Sequence, residues 1–231
     1  MSTILAIETS TELASVALMY KGVIFVRESS GVTTHSQTIL PMVQQVLADA
    51  HIRLQDCAAI AYGAGPGSFT GVRTACGIAQ GLAYGLQLNV IPVITLQALA
   101  HACHEQADAK DVLAVIDARM GEVYWAQYRF NGECETIIAP RLSAAHALQT
   151  QGEVVACGNG LIAYADDFSA PLKVGSMPTL MPHARHIALL GAAAFARGES
   201  MPANLAEPLY LRNKVALTSV ERAEKNTKEA A

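Results

Sequence analysis

Apolar residues recur along this chain with two periods, and the periods mark out its elements. Thr3-Ile4-Leu5-Ala6-Ile7-Glu8 and Ala14-Ser15-Val16-Ala17-Leu18-Met19 predict strands over 3–8 and 14–19. The second alternates poorly, as a strand covered on both faces does. Lys21-Gly22 predicts a hairpin turn into a third strand, Val23-Ile24-Phe25-Val26. Ile39, Leu40, Val43, Val46 and Leu47 recur at helical spacing, widened by Met42 and Ala50. They predict a helix over 36–50 with Pro41 near its first turn. A strand at 58–62 leads into a helix running from about 70 to 86. A strand at 90–94 and a helix at 95–105 follow.

The second half repeats the opening. Val112-Leu113-Ala114-Val115-Ile116 predicts a buried strand ending in Asp117, and 123–130 predicts another that hairpins at Asn131-Gly132. Strand, acidic turn and antiparallel strands thus occur twice, at 3–26 and 112–138, which predicts two related lobes with a cleft between them. A strand at 154–157, a Gly158-Asn159-Gly160 turn, a helix at 183–197 and a linker over 202–210 complete the pattern. The expected division is 1–107 plus about 203–219 for the first lobe and 108–202 for the second. A disordered tail is expected over 220–231.

The stretch Tyr62-Gly63-Ala64-Gly65-Pro66-Gly67-Ser68-Phe69-Thr70-Gly71-Val72-Arg73 organises the chain. Its glycines permit a sharp turn, and Ser68 or Thr70 can cap the helix that follows. That helix has an alanine stripe (Ala75, Ala79, Ala83) and a neighbouring glycine stripe (Gly77, Gly81, Gly85). Each internal glycine costs about 0.8–1 kcal/mol against alanine, so the three together cost roughly 3 kcal/mol. Close approach of another backbone is the usual compensation. That backbone belongs either to the chain's own sheet or a neighbouring helix, or to another subunit.

Composition narrows the function classes. With 52% hydrophobic and 16% charged residues among 231, the chain is a well-filled α/β protein and not a disordered one. Its longest apolar run, Ile187–Ala196, falls short of the roughly 20 residues that span a bilayer. The N-terminus lacks the basic segment of a signal peptide, and five unpaired-looking cysteines read as reduced thiols, so a cytoplasmic location is expected. A formal net charge of -4 argues against a free-standing RNA-binding module. Basic residues gather only near the end, at Arg212, Lys214, Arg222, Lys225 and Lys228, among glutamates.

Candidate chemistry is sparse. Glu8-Thr9-Ser10-Thr11 closes the first strand as a metal- and phosphate-handling turn could, yet it has no glycine to let a phosphate approach; an ordinary capped turn is the simpler reading. The 63–71 loop matches neither the P-loop nor the dinucleotide spacing, and Ser68 sits in no nucleophile elbow. His101/His104 and His183/His186 lack the HExxH pattern, so no metal is expected. Asp117 next to Arg119 and Glu122 reads as a structural ion pair, Asp117–Arg119 or Glu122–Arg119.

Four segments together resemble the bacterial TsaB family, also called YeaZ: Ile4–Thr11, Tyr62–Arg73, Ile116–Trp125 and Glu207–Asn213. The resemblance spans the chain to about residue 217. It implies a two-lobed fold like that of actin, Hsp70 and sugar kinases, with mixed sheets flanked by helices. It also implies a non-catalytic paralogue of TsaD, the subunit that moves a threonylcarbamoyl group from its adenylate onto N6 of adenosine 37 in tRNAs reading codons that begin with A. The family docks on TsaD, joined by the ATPase TsaE, and pairs with itself when alone. Both pairings use the helices here at 36–50 and 70–86.

The partner-binding residues so implied are Ile39, Met42, Val43, Val46, Phe69, Arg73, Gly77, Gln80, Gly81 and Tyr84. Those facing any nucleotide are Glu8, Thr9, Ser10, Thr11 and Asp117. The metal-binding histidine pair of TsaD has no counterpart in Val93–Leu99, and Asp117 is followed by Ala118, Arg119 and Met120 where relatives in the superfamily carry glycine. The expectation is therefore a pseudo-enzyme with no cofactor of its own. ATP or ADP would bind only at an assembled interface, and tRNA would be met only through the complex. A weak ATPase of kinase type and a peptidase are the enzymatic alternatives.

Overall fold

The computed structural model describes residues 2–30, 35–168, 172 and 175–212. The expected tail at 220–231 lies outside them, as do Lys214, Arg222, Lys225 and Lys228.

The chain opens with β1 (Ile4–Glu8), β2 (Leu13–Tyr20) and β3 (Val23–Ser30), an antiparallel meander. Lys21 and Gly22 form its hairpin turn with φ of 49° and 82°. β3 runs four residues beyond the expected end at Val26, because β2 pairs with it as far as Leu13↔Ser30. Next come α1 (His35–Asp49), β4 (Ala59–Gly65), α2 (Phe69–Leu86) and β5 (Asn89–Ile94). β4 lies parallel to β1, and β5 parallel to β4. Pro41 stands in the second turn of α1 as described, not its first. It is tolerated there because Pro41 and Gln37, its i−4 neighbour, are both exposed, so water can serve the carbonyl left free.

The second sheet contains β6 (Asp111–Arg119), β7 (Glu122–Asn131), β8 (Glu133–Ala144) and β9 (Val155–Cys157). Its order is β8-β7-β6-β9, with β6–β7 and β7–β8 antiparallel and β6–β9 parallel. The first sheet contains the same arrangement, β3-β2-β1-β4, extended by β5 and the short β10 (Met201–Pro202). The duplication read from the sequence is therefore real at the level of topology. The result is the expected α/β fold with two mixed sheets flanked by helices.

Strand periodicity divides the first core. Leu5 and Ile7 point to one face of the sheet, where α1 and α2 bury Ile39, Met42, Val43, Val46, Ala75, Ala79 and Ala83. Ile4 and Ala6 point to the other, covered by α5 (Ala184–Ala196) through Ala184, Ile187 and Ala188. The sequence placed residues 108–202 in the second lobe, but α5 and β10 belong to the first. A Cβ on Gly191 would stand 2.6 Å from that of Ala61, so the helix lies almost on the sheet backbone. Small residues on both surfaces are what allow this contact.

Between the sheets runs α3 (Thr95–Ala107). Its Ala98 joins the first core, and Leu96, Leu99 and Cys103 pack beneath β6 and β7. The far face of the second sheet is closed by Leu161 of α4 (Gly160–Ala163), Phe168 and Ala145.

Candidate functional site

Two regions carry the candidate residues: the outer face of α2 and a cleft of about 720 Å³ between the lobes. Both begin at the 63–71 loop. Ser68 is the N-cap, its oxygen accepting from the Gly71 amide at 3.4 Å. The loop is pressed onto the first turn: the Thr9 hydroxyl donates to the Gly71 carbonyl (2.7 Å) and the Ser68 amide to the Ser10 carbonyl (2.7 Å). A side chain at Gly67 would put its Cβ 2.6 Å from that of Ser10, and one at Gly71 would strike the Thr9 carbonyl. Backbone-to-backbone contact is therefore what these glycines serve.

This packing decides the expected nucleotide-facing set. Glu8 and Thr9 are fully buried and do not line the cleft. The Glu8 carboxylate lies in the space over Gly63 and accepts from the Ser10 amide at 2.5 Å, while Oε2 has no hydrogen-bond partner among the described residues. Burial pushes this carboxyl above its ordinary 4.5, against the Ser10 amide hydrogen bond that pulls it down. Thr9 is a clamp on α2. Ser10, Thr11 and Asp117 do line the cleft, and the hydroxyls of Ser10 and Thr11 have no hydrogen-bond partner among the described residues.

Asp117 is held from four sides. Its Oδ1 accepts from the Arg119 amide (2.7 Å) and the Tyr164 hydroxyl (3.0 Å), and its Oδ2 pairs with the Arg119 guanidinium at 2.9 Å. Its amide donates to Asn159 Oδ1 at 3.0 Å. The Asp117–Arg119 pair read from the sequence forms. Glu122 pairs with Arg212 instead.

Sequence reasoning missed four cleft residues, Glu12, Asn159, Tyr210 and Arg212. Glu12 receives Asn159 Nδ2 at 3.0 Å and Arg119 at 3.5 Å, both from the opposite lobe. The signal available was weak: an acidic residue ending the first turn and an asparagine between two glycines.

On α2 the stripes separate cleanly. Ala75, Ala79 and Ala83 are buried, whereas Gly77, Gly81 and Gly85 are exposed, and apart from the helix's own adjoining backbone no atom of the described residues lies within 4 Å of where a Cβ would stand. Of the two readings left open, packing on the chain's own sheet therefore belongs to the alanines alone. Tyr84 (73% exposed), Phe69 and Leu86 flank the glycines, with Leu40 exposed on α1.

Of the other expected partner residues, those on α1 face inward. Ile39, Met42, Val43 and Val46 are at most 5% exposed, so their side chains are committed to this chain's own core. The apolar spacing that predicted α1 marked its inner face. Gln80 is half-buried and donates to the Ala203 carbonyl (3.0 Å). Arg73 is exposed, with its guanidinium 3.4 Å from the Phe69 ring centre and Nε 2.7 Å from the Tyr210 hydroxyl.

The histidines are packing and pairing groups. His104 stacks on Phe130 and His101 meets it edge-on; burial, then His186 and His104, hold His101 down to about 4. His183 caps α5 and pairs with Glu28, while His186 pairs with Glu105. Among the described residues no group of three metal-binding side chains forms, and no helix is long and apolar enough to cross a membrane.

The family described as "TsaD: tRNA N6-adenosine threonylcarbamoyltransferase" matches residues 26–154. The chain is 43% identical to the tRNA threonylcarbamoyladenosine biosynthesis protein TsaB of Escherichia coli K12, over 92% of this chain and 96% of that one. It is 39% identical to the Haemophilus influenzae protein of the same name, over 92% and 94%. A solved structure titled YeaZ from Pseudomonas aeruginosa superimposes with a TM-score of 0.85 at 38% identity, covering 91% of this chain and all of that one. Segment motifs, two-sheet topology and identity over nearly the whole length agree, and the chain belongs to the TsaB (YeaZ) family.

Proposed function

We propose that this chain is a non-catalytic subunit for the formation of N6-threonylcarbamoyladenosine at position 37 of tRNAs that read codons beginning with A. It holds the catalytic subunit TsaD in its active form and, with it, receives TsaE. The names of its relatives support the pathway. The single observation that carries the scaffold role is the outward glycine stripe of α2, which costs helix stability and serves no contact among the described residues. A foreign helix can come within backbone distance of Gly77, Gly81 and Gly85, with Phe69, Tyr84 and Leu86 as apolar anchors beside them. A standard interface would cover about 800 Å² per partner. When TsaD is absent, a second copy of this chain takes its place on the same face.

The cleft supports the reading that the chain does no chemistry alone. Arg119 and Arg212, its cations, are already paired with Asp117, Glu12 and Glu122, so carboxylates compete with a phosphate for both. ATP or ADP is then met at the assembled interface, and tRNA through the partner, in keeping with a net charge of -4 and a cytoplasmic site of action.

Gly81→Leu tests this. The side chain enters open space in the free chain, so folding is kept. Co-purification with TsaD and threonylcarbamoylation of tRNA, with the variant as sole source, should each fall at least tenfold. Undiminished modification overturns the assignment. Calorimetry with ATP and Mg²⁺ on the free chain separates this reading from a kinase-like enzyme, which would bind and turn over nucleotide unaided.

A further inference from the structure

The segment that follows β10 leaves the first sheet and makes contacts in both lobes. Tyr62 grips it at Glu207, its hydroxyl donating to the Glu207 carbonyl (3.1 Å) and accepting from the Glu207 amide (3.2 Å). The Leu209 amide donates to the Ala64 carbonyl at 2.7 Å. Residues 207–209 are thus fixed to β4, in the first lobe. Tyr210 then meets α2: its hydroxyl accepts from Arg73 Nε, and the Arg73 guanidinium lies over both the Phe69 and Tyr210 rings, 3.4 and 5.3 Å from their centres.

Two residues on, Arg212 crosses to the second lobe. It pairs with Glu122 and donates to the Arg119 carbonyl at 3.4 Å, and its side chain is only 15% exposed. The turn it grips is unusual. Arg119, Met120 and Gly121 have φ of 63°, 61° and 79°, and the first two carry side chains in a region that favours glycine. Met120 and Gly121 form the two-residue hairpin turn between β6 and β7, a kind of turn that takes positive φ at both positions, and Met120 and the flanking Arg119 take it without being glycine. Glu12 of the first lobe holds the turn from the other side through Arg119.

We propose that residues 207–212 are a latch that fixes the 119–122 turn across the mouth of the cleft, and that Arg73 ties this latch to the outward face of α2. A body docked on α2 beside Phe69 and Arg73 would then bias how firmly the lobes are joined. The tie rests on the docking reading above; the latch does not.

Hydrogen exchange on the full, free chain tests both. In Arg212→Ala, amides of residues 119–124 should exchange at least tenfold faster, while β1 and α2 keep their protection. Glu122→Gln should do the same by a smaller factor, and the double variant should add little beyond Arg212→Ala. Exchange at 119–124 that is unchanged in both single variants overturns the latch. So does acceleration spread evenly over the whole chain. For the tie, Arg73→Met should speed exchange at 119–124 by about threefold, and no change there removes it. None of these readouts needs a partner, so loss of docking in Gly81→Leu with the latch intact tells the two claims apart.

Discussion

Of the seven glycines between residues 63 and 85, all but Gly65 fall into two sets of three. At Gly63, Gly67 and Gly71 a side chain would run into Glu8, Ser10 and Thr9, so each allows the loop to lie on the first turn. At Gly77, Gly81 and Gly85, further along the helix, a side chain would meet nothing among the described residues. The first set is accounted for by the chain's own packing. The second weakens α2 by about 0.8–1 kcal/mol per residue with no return inside the described chain. That difference points outside the molecule for the reason behind the second set, to the face where Tyr84 and Phe69 stand exposed.

If the division is right, substitutions in the two sets should act with opposite sign on the free chain. The largest effect belongs to Gly71→Ala, which drives a methyl into backbone that cannot yield. It should cost about 3 kcal/mol, at the upper end for overpacking, and lower the melting temperature by roughly 6–12 °C. Gly67→Ala meets the Ser10 side chain and carbonyl, each at 2.6 Å, and should cost about 1–2 kcal/mol in the same melt. A melt equal to that of the unsubstituted chain for either would dissolve the first set.

A smaller effect reads the packing beneath Gly63. Glu8 has its carboxyl raised above 4.5 by burial, so the folded chain retains a proton that the unfolded chain gives up first. Its contribution to stability is present below 4.5 and is lost as pH rises through the raised value. Glu8→Gln has no such proton to lose. Its melting temperature relative to the unsubstituted chain should rise as the pH is raised above 4.5, and a constant difference would contradict the burial argument.

Much of the fold could be read from the sequence because its strands and helices are strongly periodic. The two meanders, the hairpin at Lys21-Gly22 and both stripes of α2 are local patterns, and each is found. What escaped reading depends on distant contacts. α5 is apolar and small-sided nearly all round, so its sequence says that it is buried but not against which sheet; the fit of Gly191 on Ala61 decides that. The partner residues assigned to α1 failed for the opposite reason: the clearest helical stripe is the one the core takes. The cleft was harder still. Arg212 is one cation in a charged tail, and only its meeting with Glu122, ninety positions away in the chain, gives it a role.

The central claim concerns the glycines that nothing among the described residues requires, and one paired measurement reaches it directly. Replacing Gly77, Gly81 and Gly85 together by alanine should stabilise the monomeric chain by about 2–3 kcal/mol in denaturant melts run dilute enough to keep copies apart, since alanine is the better helix former. Affinity for TsaD, measured on the same protein, should fall at least tenfold because three methyl groups hold the helices apart. A more stable chain that binds TsaD as tightly as before would contradict the account.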